Sequence, residues 1–154
     1  MQRTVEASYH SYNGVFFNVV SKAADTDVVI TALDAGAFLG VRRATLWVCA
    51  GGACAGHEAE EGAWRAVWTG DLMRKQATPV PLGEGVVVKA GAALGFLLHS
   101  PEIGVFYSEP GEGAEDGVLR VEPWYWTMSD RPFGPHREDL RNTPAGAIHY
   151  AVGP

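Results

Sequence analysis

The sequence predicts an all-β chain folded as an antiparallel β-sandwich of about ten short strands with little helix. Three observations predict it. Apolar residues come in short runs, several alternating with period two. The 19 glycines and 9 prolines are scattered between those runs, where they read as turns rather than as linker or collagen. No segment sustains an apolar stripe at helical spacing, and strands do not alternate with helices, which argues against a parallel α/β fold.

The runs follow in order. GVFFNVVSKA, from Gly14, is the first. DVVITALDA follows, with Val29, Thr31 and Leu33 expected on one face and Val28, Ile30 and Ala32 on the other. ATLWVC leads to AWRAVWTGDL, where alternation puts Trp64, Ala66 and Trp68 together and Arg65, Val67 and Thr69 opposite. TPVPL is an edge piece, because proline has no N–H to give a central ladder. GVVVKAG and ALGFLLHS bracket a glycine turn, and IGVFYS, VLRVEPWYW and AGAIHYAV complete the set. GHEAEEGAW and PHREDLRNTP each have room for one helical turn. With no linker or internal repeat, residues 1–154 read as one domain, long enough to bury a full core without metal or staples.

Composition narrows the function classes. A hydrophobic fraction of 47% with 19% charged residues suits a folded globular chain. The net charge of −6 and the lack of a basic cluster give nucleic acid no electrostatic footprint. No apolar run is long enough to span a bilayer. The first residues, MQRTVEASYHSYNG, lack the apolar core of a signal peptide. The expectation is a soluble protein, cytoplasmic unless a targeting segment has been removed, in which case extracellular.

Catalytic signatures are absent: there is no HExxH, no GxSxG and no Walker-type loop. Ser100 with a distant His and Asp is a set of parts that any chain of this length offers. Four groups of residues remain. Trp124-Tyr125-Trp126 is the most unusual; on a regular strand the two indoles share one face and Tyr125 takes the other. Exposed, such a pair is a platform for a glycan or a partner protein; buried, it is core. Arg137 and Arg141, with His136, form a charged segment suited either to an acidic ligand or to local ion pairs. Glu109, Glu112, Glu115 and Asp116 lie in a glycine-rich loop that is either a Ca²⁺ site or a solvated hairpin. Cys49 and Cys54 are either a loop-closing disulfide of an oxidising compartment or two buried thiols.

In order, YNGVFFNVVSKA, DVVITALDA, ATLWVC, TPVPL, VVVKAGAALGFLL, the acidic GVLRVEP strand, RPFG and the closing AGAIHYAV resemble an uncharacterised jelly-roll-like β-sandwich domain found in many secreted bacterial and some algal proteins. The match runs over roughly residues 12–152 and is best at Ala90-Gly91 to Phe96 and at Gly146 to Tyr150. This chain departs from the family where a glycine-rich stretch is replaced by WYWTMSD, and where RNTPAG is one residue longer, which displaces Arg141. The resemblance implies a jelly-roll-like sandwich, often attached to larger extracellular proteins, with no established activity and no catalytic residues to carry over. The chain is also similar in architecture to the β-sandwich that follows BTB domains in ubiquitin-ligase adaptors.

The leading expectation is therefore a non-enzymatic recognition or assembly module for a partner protein or glycan. A structural subunit of a larger complex or oligomer is the second. The third is a small enzyme with a pocket at His99 or His149 inside the sandwich.

Overall fold

A computed structural model describes residues 2–5, 11–37, 40–74, 76–106, 114–142 and 146–152. It is an antiparallel sandwich. The strands are β1 (Gln2–Val5), β2 (Ser11–Tyr12), β3 (Gly14–Ser21), β4 (Val28–Ala35), β5 (Arg42–Cys49), β6 (Trp64–Leu72), β7 (Thr78–Val88), β8 (Ala93–His99), β9 (Val105–Phe106), β10 (Ala114–Glu115), β11 (Leu119–Thr127), β12 (Arg137–Asn142) and β13 (Gly146–Val152). A single 3₁₀ turn, Glu61–Ala63, is the helical content of the described residues, and no helix there is long and apolar enough to cross a membrane. It falls in the first segment with room for a helical turn. The second, PHREDLRNTP, instead supplies β12, which pairs with β11.

One sheet has the order β1-β13-β4-β7 and the other β10-β11-β3-β8-β5-β6, with β12 also on β11 and the short β2–β9 pair apart. The orders β1-β13-β4-β7 and β3-β8-β5-β6, with the chain crossing from sheet to sheet, are those of a jelly roll. β11 is an addition beside β3. The sandwich core takes Val15, Phe17 and Val19 from β3, Phe96 and Leu98 from β8, and Ile30, Leu33 and Tyr150 from the facing sheet. Phe17 and Phe96 stack at 5.2 Å.

TPVPL and GVVVKAG are not separate strands. They form the single edge strand β7, interrupted where Ile30 pairs with Val86 but Ala32 pairs with Pro81. The surplus residues bulge out through Gly83 (φ +58°) and Gly85 (φ +94°), a backbone geometry that glycine adopts without strain. Pro79 and Pro81 sit on this edge and are exposed.

Asp116 ties the two sheets together. Its Oδ1 accepts from the Val118 and Leu119 amides (2.8 and 2.9 Å), and its Oδ2 accepts from the Tyr150 hydroxyl of β13 at 2.6 Å. Tyr150→Phe is expected to cost about 1.5–3 kcal/mol, the range for a hydrogen bond to a charged group, read as a lower urea midpoint at unchanged slope.

Candidate functional site

The outer face of the seven-stranded sheet is not a solvated surface. Phe16, Cys49, Cys54, Trp64 and Leu97 are buried on it in a second cluster, against Trp47, Trp124, Tyr125 and Phe133. Two loops cover this cluster, residues 50–63 between β5 and β6 and residues 128–136 between β11 and β12.

Bulges decide which aromatics reach this face. Along β11, Pro123 pairs with Phe17 but Trp126 pairs with Val15, so β11 carries one residue more than β3 over that stretch. Trp124 and Tyr125 therefore both lie opposite Phe16 on the outer face, while Trp126 turns into the sandwich and stacks on Tyr12 at 4.1 Å. The platform of two coplanar indoles is not built: Trp124 and Trp126 point to opposite faces, and Trp126 is only 8% exposed. β6 repeats the device. Leu46 pairs with Trp68 and Trp47 with Ala66, so Trp64 joins the outer cluster and Trp68 packs on the sandwich core.

The outer rings form a column. Tyr125 lies between Trp124 (4.8 Å) and His136 (5.5 Å, planes 4° apart). Phe133 fits between Trp47 (5.1 Å) and Trp64 (5.7 Å) and so pins the second loop. Edge-to-face and stacked pairs of this kind add about 0.5–1.5 kcal/mol each to the area they bury.

The first loop is held by polar clamps. Asn18, 2% exposed, accepts from the Cys54 amide at 2.9 Å and donates to Glu122 Oε1 at 2.8 Å. The Gly95 amide donates to Gly52 O at 2.7 Å, and a Cβ at Gly95 would lie 2.9 Å from the Cys54 nitrogen. Trp64 Nε1 donates to His57 O, and Trp124 Nε1 donates to the buried carboxylate of Glu58, both at 2.8 Å.

Cys49 and Cys54 are free thiols and both buried, so no disulfide closes this loop. The Cys54 thiol turns to the Phe17 carbonyl, 3.4 Å away. Burial pushes the proton affinity of both thiols up, which keeps them protonated and unreactive near neutral pH.

The second loop is braced from below. Thr127 Oγ1 donates to Pro135 O (2.6 Å) and accepts from the Ser129 amide (2.9 Å); Ser129 Oγ accepts from the Arg131 amide (3.1 Å). Nε2 of His99, on β8, donates to Ser129 O at 2.9 Å. Two open grooves flank the arch this makes. One, of about 300 Å³, is lined by Glu61, Arg131, Pro132, Phe133 and Gly134; the other, of about 360 Å³, by Met128, Ser129, Pro135, His136 and Arg137. The Arg137 guanidinium sits 5.3 Å over the Trp126 ring, which holds it in place at the second groove.

The remaining sequence candidates lie elsewhere. Arg141 is on β12, with its side chain outside the described residues. Glu109 and Glu112 also lie outside them. Glu115 pairs with Lys22 at 3.1 Å, and Asp116 is the structural acceptor already described. Among the described residues, no three His, Cys, Asp or Glu side chains gather as metal ligands would. Neither candidate histidine is inside the sandwich. His149 pairs with Asp34 at 2.9 Å, and both are part-exposed on the four-stranded sheet. His99 follows Leu98, a core residue, and so faces outward under the second loop.

Sequence reasoning gave no role to Asn18, Glu58, Gly95 or Phe133. Asn and Glu inside otherwise apolar strand and loop patterns are the signal that a second buried layer leaves. No known family model matches this chain, and no curated protein matches it either.

Proposed function

We propose that this chain is a non-catalytic recognition module that holds an acidic segment of a partner protein against the arch of residues 128–137. The observation that carries this reading is the arch itself: a loop braced at both ends, seated on an aromatic layer, with a groove on each side. A pre-shaped loop loses little entropy when a partner docks, so more of the contact energy appears as affinity. Met128 is 50% exposed beside His136 and Arg137, an apolar anchor next to polar side chains. Arg137 lines the same groove with its guanidinium over the Trp126 ring, which puts a positive charge at that groove.

The test is a peptide array and a glycan array probed with the wild type and with Met128→Asp/Arg137→Glu. The expected result is a set of acidic peptides bound by the wild type and lost by at least tenfold in the variant, compared at a temperature where circular dichroism shows both folded. Glycan hits alone, or peptide hits indifferent to the double substitution, contradict the reading.

A further inference from the structure

The outer face of the four-stranded sheet lacks the long polar side chains that a solvated sheet face usually carries. Pairing of β13, β4 and β7 sets three rows on it: Ala147–Asp34–Pro79, His149–Ala32–Pro81 and Ala151–Val29–Val87. Their chain neighbours Ile148, Tyr150, Ile30, Leu33, Val80 and Val86 enter the core, so these nine residues face out. All but Asp34 and His149 are Ala, Val or Pro. Pro79, Pro81, Val87 and Ala151 are exposed, Val87 by 45%. We propose that this face is the contact between two copies of the chain, packed face to face about a twofold axis.

Charge identifies the occupant. The chain carries −6, so two copies repel each other over most of their surface, and they do so least across this face. Its charges are matched: Asp34 and His149 meet at 2.9 Å, and at the rim Lys89 pairs with Asp27 at 3.2 Å. Glu84 stands exposed on the β7 bulge, at the edge. A charged partner therefore finds no free counter-charge among the nine residues. The central pair is self-complementary. It sets a ring N–H donor beside a carboxylate acceptor, and a twofold axis brings each to its complement on the other copy.

Shape agrees with a face-to-face contact. Pro79 and Pro81 have no N–H to offer and β7 is bulged, so this edge is a poor template for an added strand. The small side chains keep the face flat, which lets a second sheet lie close against it. Three strands about 4.8 Å apart and six residues of about 3.4 Å give roughly 300 Å² of face per copy, which suits a weak, reversible dimer rather than a permanent one. The arch lies on the outer face of the other sheet, so the dimer leaves both arches open and stands independently of the function proposed above.

The experiment needs no ligand. Sedimentation equilibrium of the full chain is run from about 10 μM to about 1 mM, where a weak dimer forms by mass action. The mean mass should rise towards twice that of the monomer and no further. Val87→Glu/Ala151→Glu puts like charges on the face at two exposed positions and should weaken the association at least tenfold, while Met128→Asp/Arg137→Glu should leave it unchanged. Amide NMR shifts of the wild type on dilution should be confined to residues 29–34, 79–87 and 147–151. A wild type that stays monomeric at the highest concentration overturns the dimer and leaves the face to a different protein. So does a mass that grows past two copies, an association indifferent to Val87→Glu/Ala151→Glu, or dilution shifts centred on residues 128–137. If the double variant does not fold, the dilution shifts of the wild type decide alone.

Discussion

Trp126→Ala is expected to lower the unfolding free energy by about 3–5 kcal/mol, the usual cost of removing a large aromatic from a core. The indole is 8% exposed, stacks on Tyr12 at 4.1 Å and belongs to the sandwich cluster. A surface platform would make the same change nearly free. Substitution by phenylalanine separates the two indoles of the run more finely. Trp126 Nε1 is buried with no hydrogen-bond partner among the described residues, so Trp126→Phe removes an unsatisfied donor along with the volume, and should cost no more than about 1.5 kcal/mol. Trp124 Nε1 serves the buried carboxylate of Glu58, so Trp124→Phe strands a charged acceptor and should cost about 1.5–3 kcal/mol. Urea unfolding of the four proteins reads all of this. Equal, small effects throughout would contradict the assignment of faces.

Asn18→Ala is expected to cost about 2–4 kcal/mol, because it strands two groups at once, the Cys54 amide and one oxygen of Glu122. It should also loosen residues 50–63, since the remaining clamps hold other parts of that loop. The Cys54 thiol reports the loosening. In the wild type it is fully buried, and a thiol reagent should modify it only through opening of the structure. In Asn18→Ala the rate should rise by at least tenfold at a denaturant concentration where the fold is intact. An unchanged rate would mean that Asn18 does not hold this loop.

These two expectations mark how far the sequence could be read. Period-two runs located β3, β4, β5, β6, β8, β11 and β13, because alternation is a local property of a strand with one face buried. They did not assign faces. In β4, β6 and β11 a register shift changes the faces: Ile30 and Leu33, expected on opposite sides, both enter the core, while Trp64 and Trp68, and Trp124 and Trp126, expected together, part. A bulge is set by the partner strand, and no residue in the bulged strand announces it except where glycines do, as at Gly83 and Gly85. The short strands β1, β2, β10 and β12 went unread for a related reason: their pairing is tertiary, not written in their own apolar pattern.

The candidate site was legible only in part. His136 and Arg137 were singled out for their chemistry, and the structure brings them to one groove. Trp124 and Tyr125 were singled out as a binding surface, and they form the ring column beneath the arch. The aromatic layer on the outer face was not foreseen, because a two-layer sandwich is expected to present polar residues there. Its buried Asn18 and Glu58 look polar in the sequence and are structural in the fold.

The most direct measurement is a set of ring-to-ring NOEs in the folded protein. A one-residue bulge in β11 predicts contacts from Trp126 to Tyr12 and from Tyr125 to His136, with none from Trp126 to Phe16 or Trp64. Trp126 contacts to Phe16 or Trp64 would place it on the outer face, and the covered aromatic layer that supports the arch would then not exist as described.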